Sequence, residues 1–599
     1  MSTAIVTGQP VPGSSLESDL RSLGFEVLSA TDACDTETLL AAVPAQERVA
    51  VVDARFVGHQ HALRLGLTDP RFPLSAVPGA VTAQPAGRQA LTRAIARETS
   101  AGGGTALAVD SLADRLVLAL DADGAEVRRP ELGSLVAVVP ADPQARNEAR
   151  QAVAGVDDEA VRLKSAVKAR DGFFTTFFIS PYSRYLARWC ARRGLTPNQV
   201  TTASLLTALI AAGCAATGTR AGFVAAGVLL IASFVLDCTD GQLARYSLQY
   251  STLGAWLDAT FDRAKEYAYY AGLALGAARG GDDVWALALG AMVLQTCRHV
   301  VDFSFNEANH DATANTSPTA ALSDKLDSVG WTVWLRRMIV LPIGERWAMI
   351  AVLTAATTPR ITFYALLIGC AFAATYTTAG RVLRSVTRKA RRTDRAAQAL
   401  ADLADTGPLA AALGRAARGV RLAAPVAAAV GGLLVVISAA LRGAAWPTAV
   451  CAAVYALLSG LALARPLKGA LDWLVPPFMR AAEYGTVLVL AAKSGVNGSL
   501  PAAFGLVAAV AYHHYDTVYR IRGDAGAPPA WLVRALGGQE GRTLLVAVLA
   551  VLLTASQFKV ALTVLAVAVA LVVLVESIRF WVAAHRKGAP AVHDEGEPA

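Results

Sequence analysis

Twelve apolar runs fill the chain from about residue 198 to 581, and runs of that kind leave few folding options. They lie near 198–217, 221–238, 251–276, 283–301, 345–358 and 360–383, and then near 421–441, 444–464, 478–495, 500–514, 543–556 and 559–581. In hydrocarbon every backbone N–H and C=O has to be bonded within its own segment, so such runs are helices, and about 20 residues suffice to span a bilayer. Hydrophobic residues make up 54% of the chain and charged ones 17%, where a soluble domain carries about 25% charged residues. That balance excludes an ordinary soluble enzyme and equally excludes disorder, which needs low hydrophobicity. The expected fold class is a polytopic α-helical membrane protein of about twelve spans, six plus six, with a soluble head.

The head is residues 1–165, where Asp, Glu and Arg are interspersed and short β-rich runs (4–6, 26–28, 49–52, 105–109, 135–139) alternate with helical stretches at 16–23 and 37–42. This alternation predicts an α/β domain with a mostly parallel sheet. The first residues hold no basic n-region followed by a long apolar stretch, so no signal peptide is expected and the head is placed in the cytoplasm. Arg188, Arg192 and Arg193 precede the first run. Arg381, Arg384, Arg388, Lys389, Arg391 and Arg392 follow the sixth, and Arg579, Arg586 and Lys587 close the last. The positive-inside rule then puts both termini on the cytoplasmic side of a cell membrane.

The excess of 55 basic over 47 acidic residues, +8, fits basic loops, and no basic patch interleaved with aromatics points to nucleic acid. The seven cysteines, Cys34, Cys190, Cys214, Cys238, Cys297, Cys370 and Cys451, are scattered without a CxxC, which supports neither disulfides nor zinc. The expected division is a head at 1–165, an interfacial helix plus six spans at 166–390, a polar linker at 391–418, six further spans at 419–585 and a polar tail at 586–599. In the stretch 171–193, Phe173, Phe174, Phe177, Phe178, Tyr182, Tyr185 and Trp189 alternate with arginines. Such a segment suits the headgroup layer; a buried amphipathic helix of the head is the alternative.

A membrane-embedded aspartate costs roughly 2.5–3.5 kcal/mol and marks function by default. Four stand in one window: Asp237, Asp240, Asp258 and Asp262. At helical spacing Asp237, Asp240, Gly241 and Ala244 share one face of the second run, and Gly254, Asp258 and Asp262 share one face of the third. Four carboxylates in a low-dielectric site need cations, and all-oxygen ligands favour Mg²⁺ or Mn²⁺. The small residues on the same faces leave room for a metal-bound diphosphate, to which Arg245 can add a bidentate contact.

The spacing D-x2-D-G-x2-A-R-x8-G-x3-D-x3-D resembles the signature of the CDP-alcohol phosphotransferases, membrane enzymes that displace CMP from a CDP-linked alcohol with a second alcohol. The likeness covers about residues 165–390. It implies two divalent ions on Asp237, Asp240, Asp258 and Asp262, with Asp262 also the general base. It implies contacts to the CDP-alcohol from Gly241, Ala244, Arg245, Ser251 and Gly254. The stretch 196–201 is similar to the motif at the family's first span and implies that Asn198 and Thr201 hold the cytidine nucleotide. The partners implied are a CDP-alcohol donor, either CDP-diacylglycerol or a CDP-polyol, and an alcohol or phospho-alcohol acceptor such as an inositol phosphate.

Arg298, His299 and Asp302 at the fourth run, and Arg381 and Arg384 at the sixth, are candidates to grip an acceptor phosphate or ordinary cytoplasmic anchors. The α/β head followed by Lys168, Asp171 and Gly172 is similar to the family members that make di-inositol phosphate, whose head is a cytidylyltransferase. Here the first strand is followed by Gly8, Pro10, Pro12 and Gly13 instead of a Gly-x-Gly-x-Arg phosphate loop, which makes a poor phosphate cradle. The head reads as a relic or regulatory nucleotidyltransferase-like domain.

The second set of six runs echoes the first. Trp256, Leu257, Phe261, Arg263, Ala264, Glu266 and Tyr267 return 217 residues later as Trp473, Leu474, Phe478, Arg480, Ala481, Glu483 and Tyr484. Upstream, Leu243, Ala244 and Arg245 meet Leu463, Ala464 and Arg465 at an offset of 220, so Asp237 and Asp240 become Leu457 and Gly460, while at 217 Asp258 and Asp262 become Val475 and Met479. Residues 420–585 therefore read as a dead duplicate of the catalytic block; chance likeness among Ala- and Leu-rich helices is the alternative. Family members are generally homodimers, which implies a homodimer or an internal pseudo-dimer here. The expected activity is a divalent-metal-dependent phosphotransferase for substituted phosphate groups in phospholipid or head-group biosynthesis. A non-catalytic scaffold or carrier that kept the fold is the competing class.

Overall fold

Strand β1 (Ser2–Thr7) and strand β3 (Arg48–Asp53) bury five of their six residues each, so both faces of the sheet they build must be covered. Ile5, Val49 and Val51 face one apolar cluster, while Ala4, Val6, Ala50 and Val52 face the other; successive side chains point to opposite faces, which is why these strands read as unbroken apolar runs. With β2 (Phe25–Ala30), β4 (Leu74–Val77) and β5 (Ala80–Ala83) they form a sheet of order β2-β1-β3-β5-β4. The computed structural model describes residues 2–100, 111–168, 171–312, 334, 338–387, 390–417 and 422–586. The strand expected at 105–109, the basic Arg388 and Lys389, and Lys587 with the rest of the tail lie outside the described residues.

The expected mostly parallel sheet is a mixed one. β1 pairs in parallel with β2 and β3, but β5 is antiparallel to both β3 and β4. The cause is local: Pro78 and Gly79 close a two-residue turn between β4 and β5, with Gly79 at φ +77°, a geometry that glycine adopts without strain. The run at 135–139 supplies a two-residue strand (Ala137–Val138) that pairs with Val57–Gly58 outside the main sheet.

The chain divides into two compact units. One comprises Met1–Ala169, Tyr182–Pro197 and Thr239–Ser251; the other Arg170–Pro181, Asn198–Cys238 and Thr252–Ala599. The first thus joins the sheet domain to most of helix Ser180–Arg192, which exposes Tyr182, Tyr185 and Trp189. The second unit is helical.

Twelve helices carry the apolar runs. The first set is α1 (Pro197–Ala216), α2 (Arg220–Ser247), α3 (Thr252–Arg279), α4 (Trp285–Asn309), α5 (Ile343–Ala356) and α6 (Pro359–Thr387). The second is α7 (Ala424–Arg442), α8 (Trp446–Ala462), α9 (Val475–Lys493), α10 (Ser499–Arg522), α11 (Gly538–Leu552) and α12 (Ala555–Arg586). Among the described residues six segments are long and apolar enough to cross a membrane: α1, α2, α6, α7, Ala530–Leu552 and α12. Several of the others, α3 and α9 among them, carry buried charge.

Within the first set α3 packs on α4 and α5, α4 on α6, and α5 on α6. The backbones of α1 and α3 touch at Gly272 and Gly276, where an added Cβ would fall 2.4 Å and 2.0 Å from the carbonyl oxygens of Ala212 and Ala215. Gly227 of α2 meets the Ala351 carbonyl of α5 in the same way. In the second set α7 packs on α9, α8 on α11, α9 on α10 and α11, and α10 on α12. Five neighbour pairs thus recur with each helix six places on, whereas among the described residues the extensive packing of α7 on α8 has no comparable counterpart between α1 and α2, nor that of α3 on α6 between α9 and α12. The two sets also cross reciprocally: α3 lies on α10, α4 on α9, and α4 on α10. Trp256, in α3, stacks on Trp581 of α12 with ring centroids 6.1 Å apart. Trp473, just before α9, donates its indole N–H to Ser385 Oγ of α6 at 3.0 Å.

Candidate functional site

The carboxylates fall where helical spacing puts them. Asp237 and Asp240 are one turn apart on α2, and Asp258 and Asp262 one turn apart on α3. Asp237, Asp240 and Asp258 each offer an oxygen within 4.8 Å of the others, a hard, all-oxygen donor set that suits a divalent cation. Asp262 does not join that trio; the ammonium of Lys265, one turn further along α3, contacts it at 2.9 Å. The same ammonium donates to Asp237 and, at 3.2 Å, to Ser204 Oγ of α1. Lys265 is wholly buried, and it lies over the Trp347 ring at 5.6 Å.

Ser204 belongs to a buried pair with Ser233, each hydroxyl donating to the other's carbonyl at 2.8 Å and so tying α1 to α2. Thr201, also buried, sits one turn before Ser204 on the same face of α1, and half-buried Asn198 one turn before that. Asn198, Thr201 and Ser204, the last of which meets the lysine, therefore follow one another at three-residue spacing along α1.

Gly241, Ala244, Arg245 and Ser251 are held within the first unit. Arg245 donates Nε–H to the Ala166 carbonyl at 2.6 Å and folds back over Gly241, where an added Cβ would stand 3.5 Å from its Nη1. Arg162 caps the next residue: it donates to the Tyr246 carbonyl at 2.8 Å and lies over its ring at 3.5 Å, while the Tyr246 hydroxyl donates to Glu159 at 2.9 Å. Burial and the neighbouring Arg64 push Arg162 down to about 10, which leaves it cationic at neutral pH. Arg71 lies 4.0 Å over the ring of Tyr250, and Ser183 donates to Gln242 at 2.7 Å. The stretch 241–251, which includes Ala244 and Ser251 and ends just short of Gly254, is thus gripped by the α/β domain and the helix before α1.

Of the acceptor candidates, Asp302 and Arg381 are brought together as an ion pair. Both ring nitrogens of His299 are engaged, one with the Tyr515 hydroxyl of α10 at 2.6 Å and the other with Gln295 at 2.6 Å, in the helical interior. Arg298 is buried and donates to the Val340 carbonyl. Arg381 is ion-paired with Asp302, and Arg384 follows it on α6. Upstream, Gly172 has a packing reason: an added Cβ would fall 2.4 Å from Glu345 Oε2, whose partner oxygen accepts the Phe174 N–H at 3.2 Å.

Buried charges that sequence reasoning passed over hold the two helix sets. In the first, Glu266 pairs with Arg263 at 2.9 Å and with Arg346 at 3.2 Å. In the second, Glu483 pairs with Arg480 at 2.9 Å and with Arg542 at 2.6 Å, and Asp405 joins both arginines at 3.1 and 2.6 Å. The signal for the first triad was present as Arg263 and Glu266 at i, i+3.

Residues 194–373 match the family model of CDP-alcohol phosphatidyltransferase, and residues 394–599 match that of a family of unknown function, DUF5941. The chain is 36% identical over 131 residues to a phosphatidylinositol phosphate synthase of Streptomyces avermitilis, which covers 20% of this chain and 51% of that protein. It is 31% identical over 114 residues to a bifunctional IPC transferase and DIPP synthase of Aquifex aeolicus, covering 19% and 26%. It is 30% identical over 113 residues to an archaetidylinositol phosphate synthase of Pyrococcus horikoshii, covering 19% and 58%. The chain therefore spans between 26% and 58% of the length of these relatives.

Proposed function

We propose that this chain, whose residues 194–373 form a CDP-alcohol phosphatidyltransferase domain, transfers a substituted phosphate from a CDP-alcohol to an alcohol acceptor and releases CMP. The observation that carries the reading is the convergence of Asp237, Asp240 and Asp258, since three acidic groups packed in a helical interior are costly unless a cation and its anionic substrate belong there. The relatives' names point to an inositol phosphate as acceptor, and this chain is proposed to take that class.

Asp237, Asp240 and Asp258 would hold the divalent ion, Mg²⁺ or Mn²⁺, with Asp262 beside them. When bound, the ion supplies positive charge that neutralises the diphosphate as CMP departs. Asp262 takes the proton from the attacking hydroxyl, and Lys265 fixes its carboxylate in place. Asn198 and Thr201 orient the cytidine end from α1. Gly241, Ala244 and Gly254 leave room for the diphosphate, while Ser251 and Arg245 bind it; Arg245 is aimed by the Ala166 carbonyl. Arg298, His299, Arg381 and Arg384 are retained as acceptor-side residues, with Arg381 the foremost because its partner Asp302 can be exchanged for a phosphate. The helices are read as twelve spans with both termini cytoplasmic.

Residues 419–585 are read as a second, inactive copy of the catalytic block packed on the first as an internal partner, supported by the five recurring helix pairs and the matched Arg–Glu–Arg triads. The head is read as a non-catalytic support of the signature stretch.

The test is purified chain with Mg²⁺ or Mn²⁺ and a panel of CDP donors and alcohol acceptors, scored by CMP. Release with a CDP-alcohol and an inositol phosphate is the expected outcome. No CMP with any donor, in the presence of metal, removes the proposal and leaves a scaffold that kept the fold.

A further inference from the structure

Lys265 is wholly buried and its ammonium meets Asp237, Asp262 and Ser204, so its three N–H donors all have acceptors. A buried charge persists only when paired in this way. Two of the four signature carboxylates are tied to it. The remaining pair, Asp240 and Asp258, close on an oxygen of Asp237.

A comparison within the chain separates this lysine from its charged neighbours. Arg263, Glu266 and Tyr267 recur as Arg480, Glu483 and Tyr484, and Arg346 has a counterpart contact in Arg542. At the same 217-residue offset Lys265 becomes Ala482, in the stretch where Asp258 becomes Val475 and Asp262 becomes Met479. The residues that persist are those that bind helix to helix; the lysine disappears with the carboxylates.

We propose that Lys265 is a resident cation of the catalytic site, standing between Asp237 and Asp262 where a second metal ion would otherwise bind, so that the site takes one divalent ion and not two. This rests on the carboxylate centre of the proposed transferase. The ammonium and a divalent ion cannot share the gap between the same two carboxylates, and the lysine is held there by α1 and by Trp347 as well as by the acids.

The full-length chain, purified in detergent, is dialysed against Mn²⁺ and its bound metal counted per chain. One Mn²⁺ is expected for the wild type and two for Lys265→Met, whose side chain has similar length and no charge. Two ions on the wild type, or one ion on a folded Lys265→Met variant, overturns the proposal while leaving the transferase reading intact. No bound ion on the wild type removes both. Should Lys265→Met fail to fold, the wild-type count decides alone.

Discussion

The two six-helix sets share five neighbour pairs, yet one gathers carboxylates and the other gathers none at the corresponding positions. Both keep a tryptophan at the start of the third helix, Trp256 or Trp473, and both bury a glutamate between two arginines. Asp237, Asp240, Asp258, Asp262 and Lys265 belong to the first alone; their places hold Leu457, Gly460, Val475, Met479 and Ala482. The difference sorts buried charge by purpose. The Arg–Glu–Arg triads present in both sets join helix to helix, and the aspartates and Lys265 present in the first alone are the ones proposed for chemistry.

The largest effect that tests this contrast is on turnover. Asp262→Asn should lower CMP formation by about 10²–10⁴-fold, the usual range for a general base, with CDP-alcohol binding retained in a filter or calorimetric assay. Met479→Asp, the mirror change in the second set, should leave turnover of the folded protein unchanged. A loss of activity there equal to that of Asp262→Asn would break the contrast.

Next comes stability. Removing one partner of a buried ion pair costs about 3–5 kcal/mol, so Glu266→Gln and Glu483→Gln should each lower the unfolding midpoint by a similar margin in a thermal-shift measurement. A drop at one position only would mean that the two triads do different work.

A smaller effect is expected where the first unit holds the signature stretch. Arg162→Ala removes a cation–π contact worth about 0.5–2 kcal/mol and a backbone hydrogen bond from Tyr246, the residue beside Arg245. The KM for the CDP-alcohol should rise several-fold with the unfolding midpoint little moved. An unchanged KM would detach the head from catalysis.

The smallest is the reciprocal crossing. Trp473→Phe deletes one indole hydrogen bond to Ser385 and should cost about 0.5–1.5 kcal/mol, read as a modest shift in midpoint with turnover preserved.

The aspartates were legible in the sequence because the surrounding runs hold so little charge that helical spacing alone assembles them. Lys265 was not, although it lies at i, i+3 from Asp262: that spacing announces an ordinary helix-surface pair, and its reach to Asp237 and Ser204 on other helices is a tertiary contact. The antiparallel edge of the head escaped because β4 and β5 are four residues each, too short for alternation to register, and the Pro78–Gly79 turn was the sole marker. The hold of Glu159, Arg162 and Arg71 on residues 246–250 was out of reach of pattern reading, since it joins positions far apart in the chain through a tertiary contact. His299 read as either an acceptor-phosphate ligand or an ordinary anchor, and its contact to Tyr515 of α10 joins positions that spacing does not connect.

The crossing of α3 and α4 over α9 and α10 lies within one polypeptide, and mass action has no hold on it. A partner that arrives by diffusion is lost on dilution or in a thin expression background; one that is encoded downstream is always present in equal amount. On the proposed reading of the second set as an inactive copy, midpoints measured across a wide range of protein concentration should coincide, and each chain brings one acidic centre to two copies of the helical framework.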